Sequence, residues 1–146
     1  MKPLVENLEQ GTVIDHIPPE VTFQVWDLLG KKQDIAAIGN YFSSKRMGKK
    51  GIIKIANKIL TQEEVNRIAI LAPHATVSVI RKGIVDKKYT PRLPSLLNNV
   101  IACINPNCVT KYQHVPTKFR VLPGNPLKVQ CVYCELLIKH EEIVLV

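Results

Sequence analysis

Aromatic side chains are scarce in this chain: Phe, Trp and Tyr together make up 5% of it, with a single tryptophan. Any core must therefore be assembled mainly from Val, Ile and Leu. The opening segment, MKPLVENLEQ, has no apolar run of signal-peptide length. No later segment approaches the roughly 18 apolar residues that would suggest a membrane span. These absences point to a soluble, cytoplasmic protein with no membrane partner, in a reducing compartment where structural disulfides are rare. A glycine-rich phosphate loop is missing, as is a Ser or Cys nucleophile with an evident base. Enzymatic activity is the least favoured class.

The chain has 146 residues, 46% apolar and 22% charged, which describes a globular protein of one medium domain or two small ones. A formal charge of +8 favours anionic partners without choosing among nucleotide, nucleic acid, acidic membrane or acidic protein.

Cysteine is sparse too, and its four copies are gathered into the last third as two close pairs, Cys103/Cys108 and Cys131/Cys134. Each pair can turn back and present two sulfurs to one ion. Asn105-Pro106-Asn107 supplies turn chemistry inside the first pair. Four thiolates at tetrahedral corners make a closed structural zinc site with no open position for catalysis. A single-iron site would read the same way. His114 and His140 are substitute ligands in principle, but with four cysteines at hand they read as surface histidines. A segment from about residue 101 onward is too small to hold itself on a core alone, so metal binding supplies folding free energy. KFRVL, LKVQC and EEIVLV read as short strands of a small antiparallel sheet.

The first hundred residues have a different texture. GTVIDHI from Gly11 reads as a strand ended by Pro18-Pro19. Val21, Val25, Leu28 and Leu29 recur at helical spacing, with Gly30 as a C-cap and Trp26 read as core. IAAIGNYF from Ile35 and GIIKIAN from Gly51 read as strands. Thr61 to Glu64 is a capping box ahead of Val65, Ile68, Ala69 and Ala72 on one helical face. ATVSVIRK from Ala75 is a further strand. The order β-α-β-β-α-β predicts an α+β, ferredoxin-like domain, a four-stranded antiparallel sheet with helices on one face. A short extra strand is expected around Ile84-Val85, within the basic connection GIVDKKYTPRLP. The expected domains are residues 1–96 and a small all-β zinc-binding domain, residues 97–146. Leu93, Leu96, Leu97 and Val100 recur at near-helical spacing and predict an apolar face in the junction.

Two polar clusters stand out. Asp15-His16 ends an apolar strand; a ribose acceptor beside a phosphate partner fits, but the residues alone favour a solvated strand end. In KRMGKKGIIKIAN, strand alternation puts Lys50, Ile52 and Lys54 on one face. Two ammonium groups flanking an apolar side chain suit a phosphate chain with a sugar or base on the isoleucine. The competing reading is an edge strand guarded by lysine. Lys87-Lys88 adds further basic charge.

GTVIDHIP, GKKGIIKIAN, APHATVSVI, RLPSLLNNVIAC and the C-x₄-C…C-x₂-C spacing, in that order, resemble the regulatory chain of aspartate carbamoyltransferase, from about Leu4 to the C-terminus. The resemblance implies a non-catalytic regulatory subunit whose first domain binds the nucleoside triphosphates CTP and ATP. It implies a zinc domain docked on the catalytic chain, and a regulatory-chain homodimer bridging catalytic trimers. Residue by residue, it implies Asp15, Lys54 and Lys88 at ribose and phosphates, with His16 and Lys50 nearer the phosphate end. Val5, Leu8, Val13, Ile80 and Val85 would wall the base and sugar. Asn105, Asn107 and Glu135 would face the catalytic chain. Ser78 and Gly83 depart from the asparagine and tyrosine of better-known members, and SSKRMGKK is more basic than the comparable loop. The alternative is a zinc-ribbon nucleic-acid-binding module. It is weakened by the lack of a dense basic-aromatic stripe for base stacking around Tyr112, Phe119 and Tyr133.

Overall fold

The computed structural model describes residues 8–29 and 35–146, without the side chains of Ile35 and Ala36. The chain divides into two compact units, residues 1–92 and residues 93–146. The division falls between Arg92 and Leu93 rather than at the expected 96/97, because Leu96 already belongs to a strand of the second unit.

The first unit runs β1 (Gly11–Ile17), α1 (Thr22–Leu28), β2 (Ile35–Ser44), β3 (Gly48–Ala56), α2 (Gln62–Leu71), β4 (Thr76–Arg81) and β5 (Ile84–Tyr89). The sheet order is β2-β3-β1-β4-β5, with every neighbouring pair antiparallel. The first four strands have the ferredoxin-like arrangement. The fifth is the expected strand at Ile84-Val85, and it continues to Tyr89 because Lys87 and Lys88 pair with Val79 and Ser78. Gly30 lies outside the described residues; α1 ends with the Leu29 amide on the Trp26 carbonyl, 3.2 Å away. The capping box forms as read: Thr61 accepts from the Glu64 amide, and Glu64 accepts from the Thr61 amide. Gly11 sits at φ +146, where a side chain would run into the Ile55 carbonyl of the neighbouring strand.

One sheet face is buried under the helices. Ile14, Ile17, Val25, Leu29, Ile53, Ile55, Ile68, Ala72 and Ala75 form this core, and Trp26 packs against it half-buried. Burial alternates strictly through β3: Gly51, Ile53 and Ile55 are buried, while Lys50, Ile52 and Lys54 lie half-exposed on the opposite face.

The second unit holds β6 (Leu96–Asn98), β7 (Ile101–Ala102), a 3₁₀ turn (Val109–Lys111), β8 (Lys118–Val121), β9 (Lys128–Cys131), β10 (Leu137–Lys139), a second 3₁₀ turn (His140–Glu142) and β11 (Val144–Leu145). A four-stranded sheet, β10-β9-β8-β6, is joined by the pair β11-β7. The strands read from KFRVL, LKVQC and EEIVLV are present as β8, β9 and β11. The near-helical reading of Leu93 to Val100 is corrected: Leu96–Asn98 is extended, with Leu97 opposite Phe119. Leu97 is buried while Leu96 and Asn98 are exposed, which is the period of a strand. Pro94 and a left-handed Asn99 at φ 56 also oppose a helix there.

Candidate nucleotide face and metal centre

Cross-strand register builds one row on the open face of the first unit. Lys54 pairs with Val13, Val13 with Ser78, and Ser78 with Lys88. Two ammonium groups thus lie on either side of a small apolar and hydroxyl floor. The row toward the start of β1 is Gly11–Ile80–Val85. The row in the other direction pairs Asp15 with Thr76. The face therefore changes from apolar to charged along the strand axis. From the Gly11 row to the Asp15 row is about 13 Å, at roughly 3.3 Å per residue.

At the charged end β1 has a register shift between Ile14 and Ile17, and His16 takes φ 58. A bulge of this kind re-aims a side chain. Here it lets the His16 Nδ1 atom reach the Thr76 hydroxyl at 3.0 Å, beside Asp15. The Asp15 carboxylate accepts from the His16 amide at 2.6 Å. The Lys50 ammonium lies 3.0 and 3.1 Å from its two oxygens. Burial depresses the His16 pKa below the usual 6.5; Lys50, Arg46 and Lys88 push it the same way, and Asp15 opposes them. Cationic charge is thus crowded at this end, with the Asp15 carboxylate set against it.

Of the nucleotide-site residues expected from sequence, Val13, Asp15, His16, Lys50, Lys54, Ile80, Val85 and Lys88 are brought to this face. Leu8 is half-buried at the edge of the described chain, and Val5 lies outside the described residues. Thr76 was missed, because only the bulge brings its hydroxyl to His16. Arg46 was missed as an individual residue, although the basic character of its loop was legible.

In the second unit the four cysteine sulfurs lie within 4.8 Å of one another. Cys103 to Cys134 is 3.6 Å and Cys108 to Cys131 is 3.8 Å. Zinc–sulfur bonds of about 2.3 Å at tetrahedral angles put sulfurs about 3.8 Å apart, so the set fits one Zn²⁺. These separations are far too long for disulfides. Two turns create the geometry. The Cys108 amide donates to the Asn105 carbonyl, and the Asn107 amide to the Asn105 side chain. On the other side the Glu135 amide donates to the Cys131 carbonyl, with Glu135 at φ 66. Burial pushes the Cys103 thiol up to about 12, helped by hydrogen bonds to its neighbouring thiols, and raises Cys131 as well. Burial also works upward on Cys134, but hydrogen bonds from the Asn105 side chain and the Leu136 backbone bring it down to about 7. Cys103 and Cys131 thus resist ionisation without a cation, and a divalent metal supplies the missing charge. Thr110 adds a hydroxyl donor to the Cys108 sulfur at 3.2 Å, a contact that spacing did not reveal. Asn105 is half-buried against this centre, while Asn107 and Glu135 are exposed beside it.

Among the described residues, no helix is long and apolar enough to cross a membrane.

Comparison with known proteins divides the chain at the same place as the fold. Residues 4–92 match the family model for the aspartate carbamoyltransferase regulatory chain, allosteric domain. Residues 95–144 match the model for the metal binding domain of the same chain. The aspartate carbamoyltransferase regulatory chain of Bacteroides thetaiotaomicron is 45% identical over 141 residues, covering 95% of this chain and 92% of its own. That of Pyrococcus horikoshii is 42% identical over 143 residues, covering 95% and 94%. That of Parabacteroides distasonis is 42% identical over 143 residues, covering 97% and 93%. With both domain models matched in order and relatives aligned over nearly their full length, the chain belongs to the aspartate carbamoyltransferase regulatory chain family, a family of non-catalytic subunits.

Proposed function

We propose that this chain binds CTP and ATP on the open sheet face of its first unit and thereby modulates an aspartate carbamoyltransferase catalytic chain. That partner joins carbamoyl phosphate to aspartate at the first committed step of pyrimidine synthesis. One observation carries the nucleotide reading: a cross-strand row with Lys54 and Lys88 flanking Val13 and Ser78, apolar on one side and cationic on the other. Base and sugar rest toward Val13, Ile80, Val85 and Leu8, with Val5 assigned to the same wall. Asp15 accepts from the ribose, and Lys50, Lys54, Lys88 and His16 take the phosphates. Lys50 exchanges its Asp15 partner for a phosphate oxygen when the ligand arrives.

Cys103, Cys108, Cys131 and Cys134 hold one structural Zn²⁺. Asn105, Asn107 and Glu135, beside that centre, dock on the catalytic chain. The sheet edges at β2 and β5 offer unpaired backbone to a second copy, consistent with a homodimer. A nucleotide biases catalysis only by binding two quaternary states with different affinity.

The test is reconstitution. The chain is mixed with its catalytic chain, and carbamoyl aspartate formation is measured with and without CTP and ATP, alongside calorimetric titration of each nucleotide. A stable complex whose rate responds to at least one nucleotide supports the proposal. A complex with no nucleotide binding leaves only the structural role, and failure to form a complex removes the regulatory reading.

A further inference from the structure

We propose that Arg46 is an additional anion ligand at the phosphate end of this face, and that it makes the site sensitive to the number of phosphates a nucleotide carries. The proposal rests on the nucleotide-binding reading above.

Arg46 sits at the tip of the β2–β3 hairpin. The last ladder pair is Ser44 with Gly48, and the Met47 amide donates to the Ser44 hydroxyl at 3.2 Å, which defines the turn. From there the Arg46 Nη2 atom donates to the His74 carbonyl at 3.2 Å. His74 stands two residues before Thr76, whose hydroxyl meets His16. The hairpin tip is therefore tied to the chain entering β4, across the end of β1 that carries Asp15 and His16.

Two features make this guanidinium available to a ligand. Arg67 and Arg81 each pair with a carboxylate, Glu63 and Asp86, whereas among the described residues no ion pair includes Arg46. Asp15, the carboxylate at this end, pairs with Lys50 in the free chain, and is given to the ribose when the nucleotide binds. In addition, a guanidinium has five N–H donors, and one is used on the His74 carbonyl. The remaining donors, in a planar fork, match two oxygens of one phosphate. Arg46 is also close enough to depress the basicity of His16.

Position along the face assigns the specificity. With the base near the Gly11–Ile80–Val85 row and the ribose lying along Val13 toward Asp15, the first phosphate falls to the lysine side of that row, near Lys54 or Lys88. Each added phosphate extends the chain toward Lys50, His16 and Arg46. A monophosphate is too short to reach the hairpin tip, whereas the terminal group of a triphosphate arrives there.

The experiment is calorimetric titration of the full-length chain with ATP, ADP and AMP. The variants are Arg46→Gln, Lys45→Ala and Lys54→Ala. Arg46→Gln removes the charge, and because its amide ends two bonds short of Nη2 the unfolding temperature is measured alongside, to separate loss of the His74 bridge from loss of a ligand contact. Lys45→Ala removes one charge from the same turn and controls for a general loss of field. Arg46→Gln is expected to weaken ATP about tenfold, the order of one charge-assisted hydrogen bond, and AMP less than about twofold. Lys45→Ala should change ATP less than about threefold. Equal weakening of ATP and AMP by Arg46→Gln, an unchanged ATP affinity, or an equal loss in Lys45→Ala overturns the role of Arg46. If Lys54→Ala weakens all three nucleotides in that case, the nucleotide face stands without Arg46. Should the unaltered chain bind none of the three, the underlying reading fails first and takes this one with it.

Discussion

Residues 1–92 bury two helices against one face of a five-stranded sheet, with a continuous core of Ile, Val, Leu and Ala. Residues 93–146 bury Leu97, Val100, Ile101, Phe119, Val129 and Ile138 among short strands, and place four cysteine sulfurs within 4.8 Å of one another. The first unit is held by apolar area removed from water and leaves the opposite sheet face uncovered by helices. Among the described residues the second buries fewer apolar side chains, and its tightest cluster is a set of thiols that repel one another once ionised. Loss of a core side chain and loss of a ligand atom should therefore affect the two units very differently.

The greatest loss should come at the metal. Structural zinc contributes on the order of 10–16 kcal/mol in small domains at neutral pH. Cys108→Ser should unfold residues 93–146 and leave the first unit folded. Hydrogen exchange would show protection lost in β8 and β9 and kept in β1 and β3, and metal analysis would fall from one zinc per chain. Full protection in both units would show that the second unit stands on its apolar core after all.

Next is the core of the first unit. Ile53→Ala removes a fully buried side chain beneath the helices. It should cost about 2–5 kcal/mol by thermal or denaturant unfolding, with zinc content unchanged. A simultaneous loss of zinc would mean that the two units do not fold independently.

Smaller still are the cations of the open face. Lys54→Ala and Lys88→Ala should each weaken CTP and ATP together by about 1–3 kcal/mol, because an ammonium on a phosphate reads charge and not base. Zinc content and unfolding temperature should hardly move. Unchanged affinity in both variants would remove the nucleotide site from this face.

Last comes a slight pH dependence confined to the first unit. The His16 pKa is depressed in the folded chain relative to 6.5, so the unfolded chain binds more protons in the window between the two values. Stability should rise slightly as pH increases through that window to 6.5, and fall as pH drops through the folded value. His16→Asn should flatten this slope. An unaltered slope would mean that another group carries it.

How much of this was legible beforehand depends on the range of the interaction concerned. The capping box at Thr61 was readable because its partners are three residues apart. The alternation of Lys50, Ile52 and Lys54 was readable because the strand period is two. The cysteine pairs were readable because each closes within one short turn. Leu93 to Val100 misled, because an apolar spacing near 3.6 was read without its partner. Leu97 faces Phe119 across a ladder, and that pairing outweighs a weak local pattern. The strands β6, β7 and β10 were too short to announce themselves in any window of the sequence.

Local period and turn chemistry were enough to settle the order of the main elements and the apolar face of each, and to mark the two cysteine pairs whose sulfurs the fold gathers within 4.8 Å. It took the folded chain to show that Lys54 and Lys88, far apart in sequence, flank the same Val13–Ser78 pair. The same holds for the bulge that turns His16 toward Thr76, and for the hairpin tip that brings Arg46 to the His74 carbonyl. Register and bulges are set by pairing between distant strands, which no local window contains. A shift of one residue would send every side chain of the shifted strand to the opposite face.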